Sequence, residues 1–428
     1  MNRLRKEFEV FFQCSPTMRI LMVSNMIYAL VLPVIEIFVA AYVMRNSHAV
    51  AKVVTYQLSI YAATPLAFYL NGRLLGRVGA KHLYAIGMLL SGGAMMLMMQ
   101  LSILTPAAVA TSGIMMGLAT GLFWANRGFL ALVTTNDGNR NYYYGLENFV
   151  ASLAAVVVPA LIGFFISGTT LYGWLGGLAN RAYHVIALVV FGLTILAAAI
   201  LERGTFRSPE HTRFVFFRFH PLWWQMLQLA LLKGLAQGYI VTAPAMLIML
   251  LVGQEGTLGA TQAIGGVFSA CLMYTVGRIA APRHRIAVFA VGLGLFFLGA
   301  AVNTVLFNAM GVLIFLGCLI LAKPLLDLAY YPIQLRVVDV VSRLEGRNEY
   351  AYIFNHEFGL FMGRCLGCGL FLALAYGWSG TAALKYALPV IALLQLLSLG
   401  VAARIFRGLK AAGIPSSAAR LTEQTTEA

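Results

Sequence analysis

Asn71-Gly72-Arg73-Leu74-Leu75-Gly76-Arg77-Val78-Gly79-Ala80-Lys81 is a basic, glycine-punctuated turn between two long apolar runs. Its glycines let the chain reverse tightly where two helices come close. Its Arg and Lys side chains can pair with acids and helix ends on neighbouring segments. The flanking runs, 53–70 and 82–101, contain no Asp or Glu. Each has roughly the 20 residues that cross a ~30 Å hydrocarbon core as a helix.

The pattern extends along the whole chain of 428 residues. Apolar spans are predicted at 19–44, 53–70, 82–101, 106–135, 146–167, 182–201, 222–251, 257–276, 286–303, 307–335, 352–375 and 383–403. A membrane barrel would instead show ~10-residue alternation, so the fold class is an all-α membrane protein of twelve transmembrane helices. Composition agrees: 60% of residues are hydrophobic and 11% charged, against about 25% charged in a soluble domain. The net charge of +15 does not imply nucleic-acid binding, because the basic residues sit in short loops between spans. There they meet the lipid bilayer, whose anionic headgroups attract them. The stretch Ile20–Met44 is too long for a secretory leader and is read as the first span.

Of the 30 Lys and Arg, 22 fall in the N-terminus and the alternate loops on its side, and four (Arg45, Lys52, Arg181, Lys385) in the other loops. The positive-inside rule then puts both termini in the cytoplasm of a bacterial inner membrane. The chain also echoes itself. Gly72-Arg73-Leu74 returns as Gly277-Arg278-Ile279 at an offset of 205, and Arg140-Asn141-x-Tyr143 as Arg347-Asn348-x-Tyr350 at an offset of 207. Two six-helix pseudo-repeats in one orientation follow: residues 1–201 and 222–404, joined by a cytoplasmic linker at 202–221 and followed by a tail at 405–428.

The loop resembles the signature of the major facilitator superfamily, Gly-x-Leu-Ala-Asp-Arg-x-Gly-Arg-Lys, through Gly72, Leu74, Arg77, Gly79 and Lys81. The family's Asp is Gly76 here, which removes one partner of a charge-paired cytoplasmic gate. Leu122-Phe123-Trp124, Asn139 to Gly145, His356-Glu357 and Gly363-Arg364 look like a bacterial branch of that superfamily, the YqgE-like transporters. The resemblance implies the major facilitator fold and transport of a small-molecule substrate by a monomer. It also implies that the first, fourth, seventh and tenth spans line a central cavity, while the third, sixth, ninth and twelfth face lipid.

Ionisable residues inside spans are costly and mark function or pairing. Here they are Glu36 in the first span, Arg127 in the fourth, Lys233 in the seventh, Lys323 and Asp327 in the tenth, and Arg364 in the eleventh, with His356 and Glu357 near its start. Of these, Glu36, Arg127, Lys233, Lys323, Asp327 and Arg364 are the candidates for substrate binding or coupling; Gly72, Arg77, Gly79, Lys81, Arg140 and Arg347 are the gate and loop candidates. The central cations hint at an anionic, carboxylate-bearing or metal-chelating (siderophore-like) solute, with Glu36 or Asp327 carrying the coupling proton. Bland readings stand beside these. Glu36 can pair with Lys233, Lys323 can neutralise Asp327 four residues along, Arg127 can snorkel to the interface, and Glu147 can stabilise a helix start. Tyr28, Trp124, Tyr239, Tyr330 and Tyr331 are stacking candidates or packing. Gly113, Gly117 and Gly121, and Gly359, Gly363 and Gly367, form small-residue ridges that let backbones approach. Pro33, Pro65, Pro159, Pro244 and Pro324 are expected to bend spans.

Cys365-x-x-Cys368 has no accompanying His or Cys cluster and is read as helix packing. Walker, His-Glu-x-x-His and Gly-x-Ser-x-Gly motifs are absent, so no enzyme, metal site or cofactor is expected and energy would come from an ion gradient, most simply protons. A rival reading is a transporter-derived receptor that binds a ligand without moving it.

Overall fold

The computed structural model describes residues 11–101, 103–135, 139–206, 218–253, 255–279, 284–347 and 349–411. The basic start, most of the predicted linker, part of the echo loop at 280–283, Asn348 and the tail beyond 411 lie outside them, as does the side chain of Arg140. Long helices run alternately up and down. They are Pro16–Ser47 (α1), Val50–Val78 (α2), Ala80–Gln100 (α3), Pro106–Thr134 (α4), Arg140–Leu171 (α5), Ala179–Glu202 (α6), Pro221–Leu251 (α7), Glu255–Ile279 (α8), Arg285–Leu306 (α9), Ala309–Glu345 (α10), Glu349–Gly377 (α11) and Gly380–Ala411 (α12). All but α2 are long and apolar enough to cross a membrane. Helix α2 carries the buried polar residues Gln57 and Asn71 and packs against α4 and α11. The chain is a multi-pass membrane protein.

Local chemistry sets the ends. Ser15 and Thr105 cap α1 and α4 by accepting from Met18 N and Ala108 N, and each is followed by a proline, which suits the first helical turn. Asn308 caps α10, and Gly346 closes it in the left-handed conformation. Helix α7 is interrupted at Val241-Thr242. Pro244 has no N–H to continue the ladder, so it opens the second segment, Ala243–Leu251, rather than bending one continuous helix.

Both glycine ridges lie at helix contacts. A side-chain carbon on Gly113 would sit 2.6 Å from the Tyr56 carbonyl oxygen, and one on Gly121 would sit 2.7 Å from that of Thr64. Gly363 and Gly367 of α11 lie on the backbone of α7 at Leu231 and Leu235, and Gly234 and Gly238 of α7 return the contact at Leu360 and Arg364. These are two backbone-to-backbone seams, α2–α4 and α7–α11.

Helices α1–α6 and α7–α12 meet chiefly through α2–α11, α5–α8 and α1 with the second segment of α7. The α5–α8 contact involves Pro159, Gly163 and Ser167 against Glu255, Gly256 and Gly259. These α5–α8 residues lie toward the end that carries Ser47 and Glu255, the distal end. Toward the end of Gly79 and Asn139, the proximal end, Phe149 of α5 and Phe268 of α8 stand exposed.

Candidate functional site

The mid-span charges form three groups. In the first, Lys233 of α7 donates to Asp327 Oδ1 of α10 at 2.8 Å, and its Nζ sits 4.0 Å from the ring centres of both Tyr330 and Tyr331. Two aromatic faces and one carboxylate thus hold a single ammonium. Asp327 is therefore taken by Lys233, not by Lys323 four residues before it, and Lys233 is not the partner of Glu36. The reason is depth and rotation: Asp327 lies level with Lys233, whereas Lys323 lies a turn earlier on α10.

The second group joins the two sets of helices. Arg364 of α11 donates through Nε and Nη2 to Gln237 Oε1 at 3.1 and 3.0 Å. Its guanidinium lies 5.2 Å from the Tyr61 ring of α2, and Nη1 is 3.8 Å from Glu357. The Tyr61 hydroxyl donates to the Gln237 carbonyl at 3.3 Å. A narrow cleft opens here, lined by Tyr61, Thr64, Pro65 and Phe68 of α2 and by Glu357, Phe358, Phe361 and Arg364 of α11. Behind it, His356 is buried and shares a 2.6 Å hydrogen bond with the Tyr330 hydroxyl. Tyr330 thus links the Arg364 side of the site to Lys233.

Glu36 and Lys323 are different. Both residues are exposed although they sit well inside α1 and α10. No ion pair joins either to a partner among the described residues, but the field of Lys323 reaches Glu36.

The third group is nearer the proximal end. Arg127 of α4 reaches Glu147 Oε1 of α5 through Nη2 at 3.0 Å and Nε at 3.2 Å. Asn25 of α1 donates to the same oxygen and to the Tyr143 hydroxyl, both at 2.9 Å, and accepts from the Tyr84 hydroxyl at 2.8 Å. Arg127 is thus paired rather than snorkelling, and Glu147 is a partner to two other helices rather than a simple first-turn acid. Of the stacking candidates, Tyr28, Tyr239 and Tyr330 are buried, the first two against Phe123 and Phe371. Trp124 and Tyr331 remain accessible, and each lies beside a cation, Arg127 and Lys233 respectively.

The loop candidates lie outside these groups. Lys81 donates to the carbonyls of Glu202 and Gly204, both at 3.1 Å, and pairs with the Glu202 carboxylate at 3.3 Å. Its charge thereby closes the C-terminal end of α6. Gly72 and Arg77 are exposed, and Gly79 takes φ +80° between α2 and α3. Arg347 lies 3.6 Å from Glu345. At the distal end, Arg45 of α1 and Glu255 of α8 form a 2.5 Å ion pair between the two sets of helices. Cys368 donates to the Gly238 carbonyl at 2.9 Å inside the α7–α11 seam. No metal-ligating cluster occurs among the described residues.

Sequence reasoning missed Asn25, Tyr61, Tyr84, Gln237 and the Arg45–Glu255 pair. Asn25 and Gln237 are amides inside otherwise apolar runs, a signal that was present. Arg45 and Glu255 sit at span edges, where charge is ordinary.

The arrangement is a helical bundle in two sets, with ionisable groups on the helices between them. It is similar to the nucleoside transporter NupG (TM-score 0.69, 11% identity, covering 92% of this chain and 99% of that one). It is also similar to a bacterial homologue of the iron transporter ferroportin in an inward-facing state (TM-score 0.65, 17% identity, 91% and 98%) and to a bacterial metal transporter (TM-score 0.61, 16% identity, 92% and 99%). In sequence it is 25% identical, over 365 residues, to the uncharacterized protein YqgE of Bacillus subtilis strain 168, spanning 81% of this chain and 80% of that one. No family model matches the chain.

Proposed function

We propose that this chain is a proton-coupled secondary transporter of the major facilitator type, built as two six-helix halves (1–201 and 222–404) around one site. It sits in a bacterial inner membrane as a monomer with both termini cytoplasmic, and the distal end is then the outer one. The substrate is a small organic anion, a carboxylate or an acidic metal chelator. Arg364 and Lys323 are its counter-charges, and Glu36, opposite Lys323, is a coupling carboxylate.

One observation carries this reading: Lys323, accessible deep within α10, has no ion-pair partner among the described residues. A free cation at that depth is costly unless it faces water or a ligand. Bare-cation transport is less well supported, because Asp327 and Glu357 already face Lys233 and Arg364.

The test is untargeted mass spectrometry of cells and medium for a deletion strain, the wild type and Arg364→Ala at matched expression. A compound redistributed in both the deletion and the variant names the substrate and its direction. If nothing moves under any growth condition, including metal starvation, the transporter reading fails and the receptor reading replaces it.

A further inference from the structure

We propose that Glu147 is a proton-binding group that controls an anion site at Arg127, so that a proton and a substrate carboxylate bind this pair together. The inference rests on the transporter reading and names a coupling group for it other than Glu36 or Asp327.

The geometry of the Glu147 carboxylate is lopsided. Oε1 accepts all three available donations, from Asn25 and from two nitrogens of Arg127. Oε2 is buried and has no hydrogen-bond partner among the described residues. A proton can add to Oε2 without displacing a hydrogen bond, and the charge that holds Arg127 is then gone. Arg127 is always protonated and would need another anion. Its side chain is a quarter exposed, and it rests 5.0 Å from the ring of Trp124, which is itself accessible. An entering carboxylate therefore has a guanidinium to meet and an aromatic wall beside it.

The surroundings favour a breakable link over a structural staple. Helices α4 and α5 share no extended packing face among the described residues, so this polar contact is a main tie between them. The titratable groups facing Glu147 are Arg127 from α4, Tyr84 from α3 and Tyr143 from α5 itself, and α1 contributes the amide of Asn25. Among the described residues, α6 and α8 bring no charged partner to it. Asn25 spends its amide on Tyr143, Tyr84 and Glu147, so a change at Glu147 is passed directly to α1 and α3. Because linkage is reciprocal, an anion on Arg127 also strengthens proton binding at Glu147.

The experiment uses the purified full chain and reads the fluorescence of Trp124 as the difference between the protein and its Trp124→Phe variant, leaving the other tryptophans in place. The expected result is a sigmoidal change with pH that Glu147→Gln abolishes, holding emission at its acid limit throughout, while a change at an exposed acid remote from the site, Asp339→Asn, leaves it intact. Excess acetate, compared with chloride at equal ionic strength, should move the midpoint upward, by about one pH unit for each tenfold preference of the anion for the protonated form. A transition that persists in Glu147→Gln, or no transition in the parent, overturns the proton site. A midpoint indifferent to acetate overturns the anion site. Flux in proteoliposomes is scored separately: titration without flux counts against the transporter reading alone, and proton-driven flux without titration counts against this pair alone.

Discussion

Replacing Gly363 by Ala puts a methyl group into the α7–α11 seam where there is no space for one. The new carbon falls on the Leu231 carbonyl oxygen, 2.7 Å from the Leu235 nitrogen and 2.9 Å from the Gly234 carbonyl carbon. Ordinary carbon contacts lie at about 3.5–4.0 Å, so the two helices must part by most of an ångström. All three obstacles are backbone and cannot rotate away. Overpacking typically costs about 1–3 kcal/mol, and this site belongs at or above the upper figure. Separation would also draw Arg364 from Gln237, since Gly238 rests on the Arg364 carbonyl. Gly369 supplies the control on the same helix, because a carbon there meets nothing within 4 Å. Thermal unfolding in detergent, followed by fluorescence-detected size-exclusion chromatography, should show Gly363→Ala melting several degrees below wild type and Gly369→Ala level with it. Equal melting of the two variants would refute the seam.

Other expectations follow from the same contacts. Arg45→Ala leaves Glu255, whose side chain is 6% exposed, buried without its cation; losses of about 3–5 kcal/mol are usual for such half-pairs. Spin labels on the distal ends of α1 and α8 should then report a wider distance distribution, which the double reversal Arg45→Glu with Glu255→Arg narrows again. Arg364→Lys keeps the charge but loses the two-nitrogen hold on Gln237 and the stack on Tyr61. On the proposed transporter reading, substrate flux should fall at least tenfold, with melting little changed. Lys81→Ala opens the carbonyl end of α6, costing about 1 kcal/mol, and should raise proteolysis near Gly204.

The helical, membrane-crossing architecture was legible because run length and charge placement are read residue by residue, with no need for partners. The glycine seams were legible for the same reason: Gly117 and Gly363 keep a four-residue spacing whatever they touch. Which charges meet was not legible. Pairing Lys233 with Asp327 instead of Glu36 depends on how α7 and α10 are rotated and how deep each sits. Apolar runs hide both, since a span can shift by a turn without changing its hydropathy. Glu147 looked ordinary for a similar reason. Its distance from Arg127 along the chain says nothing about Asn25, which comes from α1.

The two seams also bear on force transmission. They fuse the second and fourth helices of one set, but the first and fifth of the other, so the sets are not mechanical copies. Lys233 and Arg364 ride on a single welded block, α7–α11, and their separation is close to a fixed length during any rearrangement. Arg127 and Glu147 stand on helices that no seam joins. A cross-link across α7–α11 is therefore expected to be silent, whereas one between α4 and α5 is expected to jam the molecule.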